Sequence, residues 1–126
     1  MDKEMFEKGL AIRRSVLGAD FVDAQFATAD EFNRPLQELV TQYCWGEVWG
    51  RPGLEKKTRS LLNLAMLSAL NRPHEIRVHV KGALANGVTK NEIMEVFLQV
   101  AIYCGVPAAV DSFRIAREVF KELGNV

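Results

Sequence analysis

The sequence predicts an all-α protein, a single-domain bundle of five to six helices. Apolar residues recur at helical spacing along nearly the whole chain, and no segment shows the convincing alternation of a strand. Glycine and proline divide this pattern, with Gly18 and Gly87 where helices end and Pro73 and Pro107 where helices begin. With 126 residues, the chain is predicted to form one domain, residues 1–126.

The first part of the chain is predicted to contain two helices, the second of them interrupted. Asp2 is the predicted N-cap of the first helix, and residues 18–23 are predicted to form a connecting turn. Thr28 and Glu31 have the spacing of a capping box, which predicts that the second helix begins there. Pro35 falls inside that pattern and predicts a kink or a restart.

Residues 45–53 break the helical pattern with three glycines and a proline, so they are predicted to form a loop, which carries both tryptophans. Residues 55–70 predict a helix whose second half is apolar on almost every side, which is typical of a buried central helix. Thr89 and Glu92 form a second capping-box pattern. The last helix is predicted to begin at Pro107.

Charge and hydropathy exclude several classes of function. Sixteen basic and sixteen acidic residues cancel, so nucleic acid is not an expected partner, although a local basic patch could still bind a small anion. No apolar run is long enough for a membrane span, so no membrane partner is expected. The first twenty residues are charged and lack the apolar region of a signal peptide, and we therefore expect a cytoplasmic protein.

Five segments carry a more specific pattern. They are residues 45–54 (Trp-Gly-Glu-Val-Trp-Gly-Arg-Pro-Gly-Leu), 58–62 (Thr-Arg-Ser-Leu-Leu), 79–84 (His-Val-Lys-Gly-Ala-Leu), 86–89 (Asn-Gly-Val-Thr) and 99–109 (Gln-Val-Ala-Ile-Tyr-Cys-Gly-Val-Pro-Ala-Ala). Together they closely resemble the carboxymuconolactone decarboxylase family, and the likeness runs from about Phe6 to Leu123. The tryptophan block and the Tyr-Cys-Gly-Val-Pro-Ala block are typical of the decarboxylase branch, whereas Asn-Gly-Val-Thr is shared across the wider superfamily.

The resemblance implies decarboxylation of 4-carboxymuconolactone, a small anionic lactone, to 3-oxoadipate enol-lactone in protocatechuate breakdown. It also implies an alkylhydroperoxidase-D-like helical fold and a ring-shaped homo-oligomer, commonly a hexamer arranged as a trimer of dimers or a dimer of trimers. The sequence agrees with such assembly, because several helices are apolar over more than one face and so small a chain cannot bury them all within itself.

Two alternatives belong to other classes of function. A redox branch of the superfamily carries Cys-x-x-Cys-x-x-x-His, and aligning that histidine with His79 places its two cysteines at Arg72 and Glu75. A thiol peroxidase of this kind is therefore disfavoured, because its peroxidatic and resolving thiols are missing. The chain's own Cys44 and Cys104 are expected to be buried reduced thiols. A non-catalytic oligomeric helical module is the other alternative, and no positive feature favours it.

The implied substrate is a dianion whose departing carboxylate stands on the ring carbon vinylogous to the lactone carbonyl. Loss of carbon dioxide moves an electron pair into that conjugated system, so the substrate is its own electron sink and neither an organic cofactor nor a metal is required. The protein has to bind the second carboxylate, stabilise the developing oxyanion, exclude water and deliver one proton to carbon.

His79 is the predicted catalytic acid, because an imidazole titrates close to neutral pH and the superfamily resemblance singles out this position. Glu75 lies one helical turn earlier, where its carboxylate is expected to orient the imidazole and raise its pKa. The alternative is that His79 satisfies a contact in the core. His74 follows Pro73 in the first turn of the same helix and is expected to be solvated.

Two arginines and one further acid complete the predicted polar groups. Arg51 and Arg59 are predicted to bind substrate carboxylates, since a guanidinium pairs with a carboxylate through two hydrogen bonds. For each of them a surface or interface salt bridge is the alternative. Glu47 is either a second acid/base group or a salt-bridge partner of Arg51.

The remaining candidates are aromatic. Trp45 and Trp49 are predicted to pack around a small pocket and exclude water from it. Tyr103 is a candidate hydrogen-bond donor to the lactone oxygen, with a structural role at the helix end as the alternative. Cys104 belongs to the same sequence block and is predicted to lie in the core.

Overall fold

The computed structural model of the protein describes residues 1–124, which form seven α-helices and one π-helix and contain no strand. The all-α prediction is therefore confirmed, and the predicted count of five to six helices is wrong. Contacts between residues divide the chain into two compact units, residues 1–56 and the residues from Lys57 onward. The assignment of residues 1–126 to a single domain stays a prediction. Among the described residues, no helix combines the length and the apolar character that crossing a membrane requires.

The first unit is built from four helical segments: α1 (Lys3–Leu17), α2 (Ala19–Ala27), α3 (Arg34–Val40) and a π-helix (Thr41–Val48). The predicted N-cap of α1 is confirmed, because Asp2 Oδ1 accepts a hydrogen bond from the Met5 amide at 3.1 Å. Pro35 lies in the first turn of α3, so the predicted restart at this proline is also confirmed. The π-helix packs against α1 and α3, and α1 also packs against α2.

Two local predictions in this unit are wrong. Residues 18–23 do not form a connecting turn, because Gly18 alone, at φ 97°, separates α1 from α2. A single glycine in the left-handed region is enough to end one helix and start the next. Thr28 does not begin a helix with Glu31; it ends α2, and its hydroxyl donates to the Ala24 carbonyl oxygen at 2.8 Å. A threonine that bonds back to the preceding turn is not available to cap the following one.

The predicted loop at residues 45–53 is partly wrong, because residues 45–48 belong to the π-helix and only the rest is irregular. The Trp49 amide donates to the Cys44 carbonyl oxygen at 2.9 Å, which is the wide spacing of a π-helix. Gly46 lies in close contact with α1, since an added Cβ would stand 2.7 Å from the Met5 carbonyl oxygen. This glycine therefore serves close helix packing, and the loop prediction mistook it for a turn residue.

The second unit contains α4 (Lys56–Ala69), α5 (Pro73–Ala85), α6 (Lys90–Cys104) and α7 (Val106–Glu122). The predicted capping box is confirmed: Thr89 Oγ1 accepts from the Glu92 amide at 3.1 Å, and Glu92 Oε1 accepts from the Thr89 amide at 2.9 Å. Pro73 and Pro107 lie in the first turns of α5 and α7, as predicted. The helix α7 packs against α5 and α6. The core of this unit includes Leu64, Ile76, Val80, Ile93, Phe97, Ile115 and Val119.

The prediction that α4 is a buried central helix is wrong. Only one narrow stripe of α4 is buried, and it consists of Ser60, Leu64 and Ser68. On its other side Leu62 and Met66 are 45% and 52% exposed. The fold of one chain therefore buries only part of the apolar surface of α4. The rest forms an apolar face that is exposed.

Candidate active site

His79 lies on α5 beside the helix face that enters the core of the second unit. Ile76 and Val80 are buried on that face, and the imidazole between them in sequence is partly buried. This burial removes water from the ring and lowers the pKa of His79 to about 4, because the charged form loses its hydration. At neutral pH the imidazole is therefore neutral in the folded chain.

Glu75 does not have the effect on this histidine that the sequence predicted. Its side chain lies one turn before His79 on α5 and is exposed to solvent. The shift in the pKa of His79 is downward and is caused by desolvation. The prediction that Glu75 raises this pKa is therefore wrong for the folded chain, since an exposed carboxylate is screened by water and burial of the ring dominates.

The other candidates of the second unit lie on α4 and α6. Arg59 is partly buried in the first turns of α4. Tyr103 is exposed near the end of α6, where it lines a cavity of about 340 Å³ together with Cys104 and Thr58. The remaining wall of this cavity comes from Gln99 and from apolar residues of α4 and α6. The prediction that Cys104 belongs to the core is wrong, because its side chain is exposed at this cavity.

The two tryptophans of the first unit are packed, as their predicted role requires. Trp45 and Trp49 are 3% and 4% exposed, and their ring centroids stand 4.6 Å apart with an angle of 33° between the ring planes. A close, tilted contact between two aromatic rings adds to the stabilisation that burial of two large rings gives. The π-helix and the turn after it hold both rings on the buried side of the segment.

Glu47 and Arg51 lie on the exposed side of the same segment. Glu47 lines a cavity of about 300 Å³ that Asp2 also lines, and two carboxylates around one cavity disfavour an anionic ligand there. The Arg51 amide donates to the Val48 carbonyl oxygen at 3.1 Å, which fixes the backbone just after the π-helix.

The sequence reasoning missed Arg13, a buried guanidinium of α1. Its Nη1 donates to Thr41 Oγ1 at 3.2 Å, and its guanidinium carbon stands 5.7 Å from the centre of the Phe26 ring. Desolvation lowers the pKa of Arg13, and the neighbouring Cys44 opposes this shift. The sequence did contain a pattern that could have predicted this burial, because Arg13 lies on the same helical stripe as Gly9 and Val16, which are both buried.

The cysteines bear on the thiol peroxidase alternative. Both Cys44 and Cys104 are free thiols. Burial raises the pKa of Cys44, and the positive charge of Arg13 reduces this shift without cancelling it. Because the thiolate is the reactive form, a thiol with a raised pKa is a poor peroxidatic group at neutral pH. The raised pKa therefore counts against Cys44 as a peroxidatic thiol.

The candidate residues are divided between the two units. The first unit carries Trp45, Glu47, Trp49 and Arg51, and the second carries Arg59, Glu75, His79 and Tyr103. Within the units, the structure brings the two tryptophan rings into contact and places His79 where burial removes water from its ring. A neutral imidazole in such an environment is able to accept a proton when an anion binds beside it and to return that proton to a substrate carbon.

Comparison with known proteins gives a consistent result. The sequence model described as the carboxymuconolactone decarboxylase family matches residues 34–118. A protein from Acinetobacter baylyi named 4-carboxymuconolactone decarboxylase is 42% identical over 123 residues, which cover 98% of this chain and 92% of that protein. A protein from Metarhizium robertsii named nitrosuccinic acid decarboxylase npaB is 37% identical over 123 residues, covering 98% of this chain and 86% of that protein.

Proposed function

The chain belongs to the carboxymuconolactone decarboxylase family, and from that premise we propose that it decarboxylates 4-carboxymuconolactone, or a closely related small carboxy-lactone, without a cofactor. The products are 3-oxoadipate enol-lactone and carbon dioxide. The observation that carries this proposal is the likeness to a relative named for the same reaction over 98% of the chain.

The names of the two relatives point to one type of chemistry. 4-Carboxymuconolactone and nitrosuccinic acid are both dicarboxylic acids with an electron-accepting group, a conjugated lactone in the first and a nitro group in the second. In each compound the bond from carbon to one carboxylate breaks, its electron pair moves into the acceptor, and carbon dioxide leaves. One proton then adds to carbon while the second carboxylate is retained. The protein must therefore bind a dianion and supply one proton.

His79 is the proposed proton donor. Its pKa of about 4 means that the imidazole is neutral before the substrate binds at neutral pH. A dianion beside the ring favours the charged imidazolium and raises its pKa again, so that proton uptake accompanies substrate binding. Apolar surroundings then strengthen the attraction between the imidazolium and the developing oxyanion, because the local dielectric constant is low.

The other candidates keep their predicted roles as proposals. Arg51 and Arg59 are proposed to bind the carboxylates of the substrate, which a guanidinium does through paired hydrogen bonds. Tyr103 is proposed as a donor to the lactone oxygen, and its exposure on α6 is compatible with contact to a ligand. Glu75 remains proposed to orient the imidazole of His79, and Glu47 to act as a second acid/base group or as a salt-bridge partner of Arg51, although both glutamate side chains are exposed.

Trp45 and Trp49 are proposed to exclude water from the site, and their burial as a stacked pair supports a rigid apolar wall. Family membership also supports an alkylhydroperoxidase-D-like fold and a cytoplasmic homohexamer as proposals. The exposed apolar side chains of α4 and α6 favour assembly of some kind, since monomeric proteins rarely leave such a surface in water.

The reaction is tested directly by adding 4-carboxymuconolactone to the purified protein and following loss of its absorbance together with release of carbon dioxide. Nitrosuccinate, assayed in parallel, shows whether the protein also decarboxylates a substrate whose electron-accepting group is a nitro group. We expect turnover of 4-carboxymuconolactone with one equivalent of carbon dioxide for each lactone consumed. Absence of turnover at high protein concentration would contradict the proposed substrate.

The role of His79 is tested by comparing two matched substitutions on α5. His79→Gln removes the proposed donor and is expected to lower kcat by a factor of about 100 or more, which is typical of losing a general acid. His74→Gln removes the exposed histidine of the same helix and is expected to leave kcat within about twofold. Circular dichroism confirms that both variants are folded. A folded His79→Gln variant with wild-type kcat would show that another group delivers the proton.

A further inference from the structure

A second cavity lies on the second unit, and none of the candidate site residues lines it. It has a volume of about 330 Å³, and every residue that lines it belongs to the first half of α6 or to α7. Its apolar surface includes Ile93, Phe113 and Phe120. Three cationic side chains, Lys90, Arg117 and Lys121, also line it, and no acidic side chain does.

The acidic residues of α7 form ion pairs with arginines that do not line this cavity. Glu118 forms ion pairs with Arg77 and with Arg114, and Glu122 also pairs with Arg77. Within residues 1–124, no carboxylate forms an ion pair with any of the three cations that line the cavity. None of these three positive charges is therefore neutralised by an ion pair within the described part of the chain.

This arrangement does not stabilise the helix by itself. Arg117 and Lys121 are one turn apart on α7 and line the same cavity, and like charges at this spacing oppose each other by about 0.2–0.5 kcal/mol. Lys90, from the start of α6, adds a third positive charge, with its ammonium nitrogen 5.2 Å from the centre of the Phe120 ring. A negative ligand group between these side chains would convert the repulsion into attraction.

We propose that this cavity is a binding site for a small aromatic carboxylate. Its volume lies at the lower end of the range of small-molecule sites, which suits a single substituted ring. The ring would lie against Phe113 and Phe120, where aromatic pairs gain energy beyond the burial of their area. The guanidinium of Arg117 would receive the carboxylate through two hydrogen bonds, and the ammonium groups of Lys90 and Lys121 would add charge. This site is separate from the proposed decarboxylation site, because no residue of α5 lines it.

The test uses benzoate as the probe, titrated into the full-length protein and followed by isothermal calorimetry and by amide shifts in NMR spectra. Benzyl alcohol, which keeps the ring but has no charge, and acetate, which keeps the charge but has no ring, are matched controls. We expect benzoate to bind at least about tenfold more tightly than either control, with amide shifts concentrated in α6 and α7. Equal binding of acetate and benzoate, or shifts elsewhere, would overturn the proposal.

Substitutions distinguish this site from the decarboxylation site. Arg117→Gln combined with Lys121→Gln is expected to weaken benzoate binding at least about tenfold, since both lost groups contact the carboxylate. Lys81→Gln removes one positive charge from the exposed side of α5 and is expected to leave the affinity unchanged. If the double substitution lowers stability, Lys90→Gln serves as a second and milder variant, because it removes only one of the three positive charges that line the cavity.

His79→Gln completes the set and is expected to bind benzoate as the wild type does. If benzoate binding is lost with His79→Gln and kept with the Arg117→Gln, Lys121→Gln variant, the probe occupies the decarboxylation site and the proposal is wrong. Failure of this proposal leaves the decarboxylase assay unaffected, because that assay measures carbon dioxide release at another site.

Discussion

At the scale of single residues, the burial of His79 affects stability and bears on its proposed role. Its ordinary pKa of 6.5 is lowered to about 4 by burial, so the unfolded chain binds a proton in this interval that the folded chain does not. Stability therefore rises with pH across the interval: the contribution is complete above about pH 6.5 and is lost as the pH falls toward 4. The burial that lowers stability in acid also keeps the imidazole neutral in the folded chain at neutral pH. In the proposed mechanism, the ring takes up a proton when the anionic substrate binds.

The first prediction at this scale concerns stability. Between pH 6.5 and pH 4, the wild type is expected to lose on the order of 3 kcal/mol more free energy of unfolding than His79→Gln, which has no proton to gain. Urea unfolding at several pH values measures the difference. His74→Gln is the control and is expected to follow the wild type, because that side chain is exposed. Parallel pH dependences of the wild type and His79→Gln would contradict the burial of the ring.

The second prediction concerns the rate. The pH profile of kcat/KM reports the free enzyme and that of kcat reports the substrate complex. If His79 must be protonated to react, kcat/KM is expected to fall about tenfold per pH unit above pH 4, whereas kcat stays constant to a higher pH because the bound dianion raises the pKa. Steady-state assays across this range give both profiles. Coincident profiles would show that substrate binding does not change the protonation of His79.

At the scale of elements, the contact between α1 and the π-helix depends on glycine. An added Cβ at Gly9 would stand 1.9 Å from the Thr41 carbonyl oxygen, which is far inside van der Waals contact with backbone that has little freedom to move. The π-helix itself is widened to five-residue spacing, and such segments often occur at functional sites. Its close packing on α1 fixes the segment that holds both tryptophans.

A pair of glycine substitutions tests this contact. Gly9→Ala is expected to lower the free energy of unfolding by about 3 kcal/mol or more, because the helices must separate to admit the methyl group. Gly53→Ala adds the same methyl group where no atom lies within 4 Å, and is expected to change stability by less than about 1 kcal/mol. Urea unfolding of both variants measures the contrast. Equal effects would mean that α1 does not approach the π-helix this closely.

At the scale of the whole molecule, the exposed apolar surface is the feature that a single chain leaves unexplained. Leu62 and Met66 on α4, and Leu98 and Ile102 on α6, are exposed, and Ile102 is 80% exposed. Side chains of this kind gain about 1.5–3 kcal/mol each when they are buried, so a second copy covering them would be favoured. This surface supports the proposed homo-oligomer, and its hexameric form remains a proposal.

Assembly is tested by size-exclusion chromatography with light scattering. The wild type is expected to have a mass several times the 14.2 kDa of one chain. Ile102→Glu, which places a charge in the apolar surface, is expected to reduce that mass without unfolding the chain, because the side chain is exposed. Lys81→Glu is the control, a charge change at another exposed position. A monomeric wild type, or an unchanged mass for Ile102→Glu, would contradict assembly through this surface.

The sequence alone determined the features that depend on neighbours along the chain. Asp2 as an N-cap, the Thr89 and Glu92 capping box and the proline at the start of α5 were all predicted and confirmed, because a helix terminus is set by a few adjacent residues. The likeness to a decarboxylase family was also readable, since it consists of residue types in a fixed order.

Only the tertiary structure decided which helix faces are buried and what burial does to each side chain. Cys104 is exposed although it was predicted to lie in the core, and Arg13 is buried although it carries a charge, because exposure depends on which elements pack against a helix. Gly46, between the two tryptophans, indicated a loop by local rules and serves helix packing instead. His79 was selected from the sequence as a candidate, but the direction of its pKa shift was not predicted correctly, because desolvation of the ring outweighs an exposed carboxylate on its own helix.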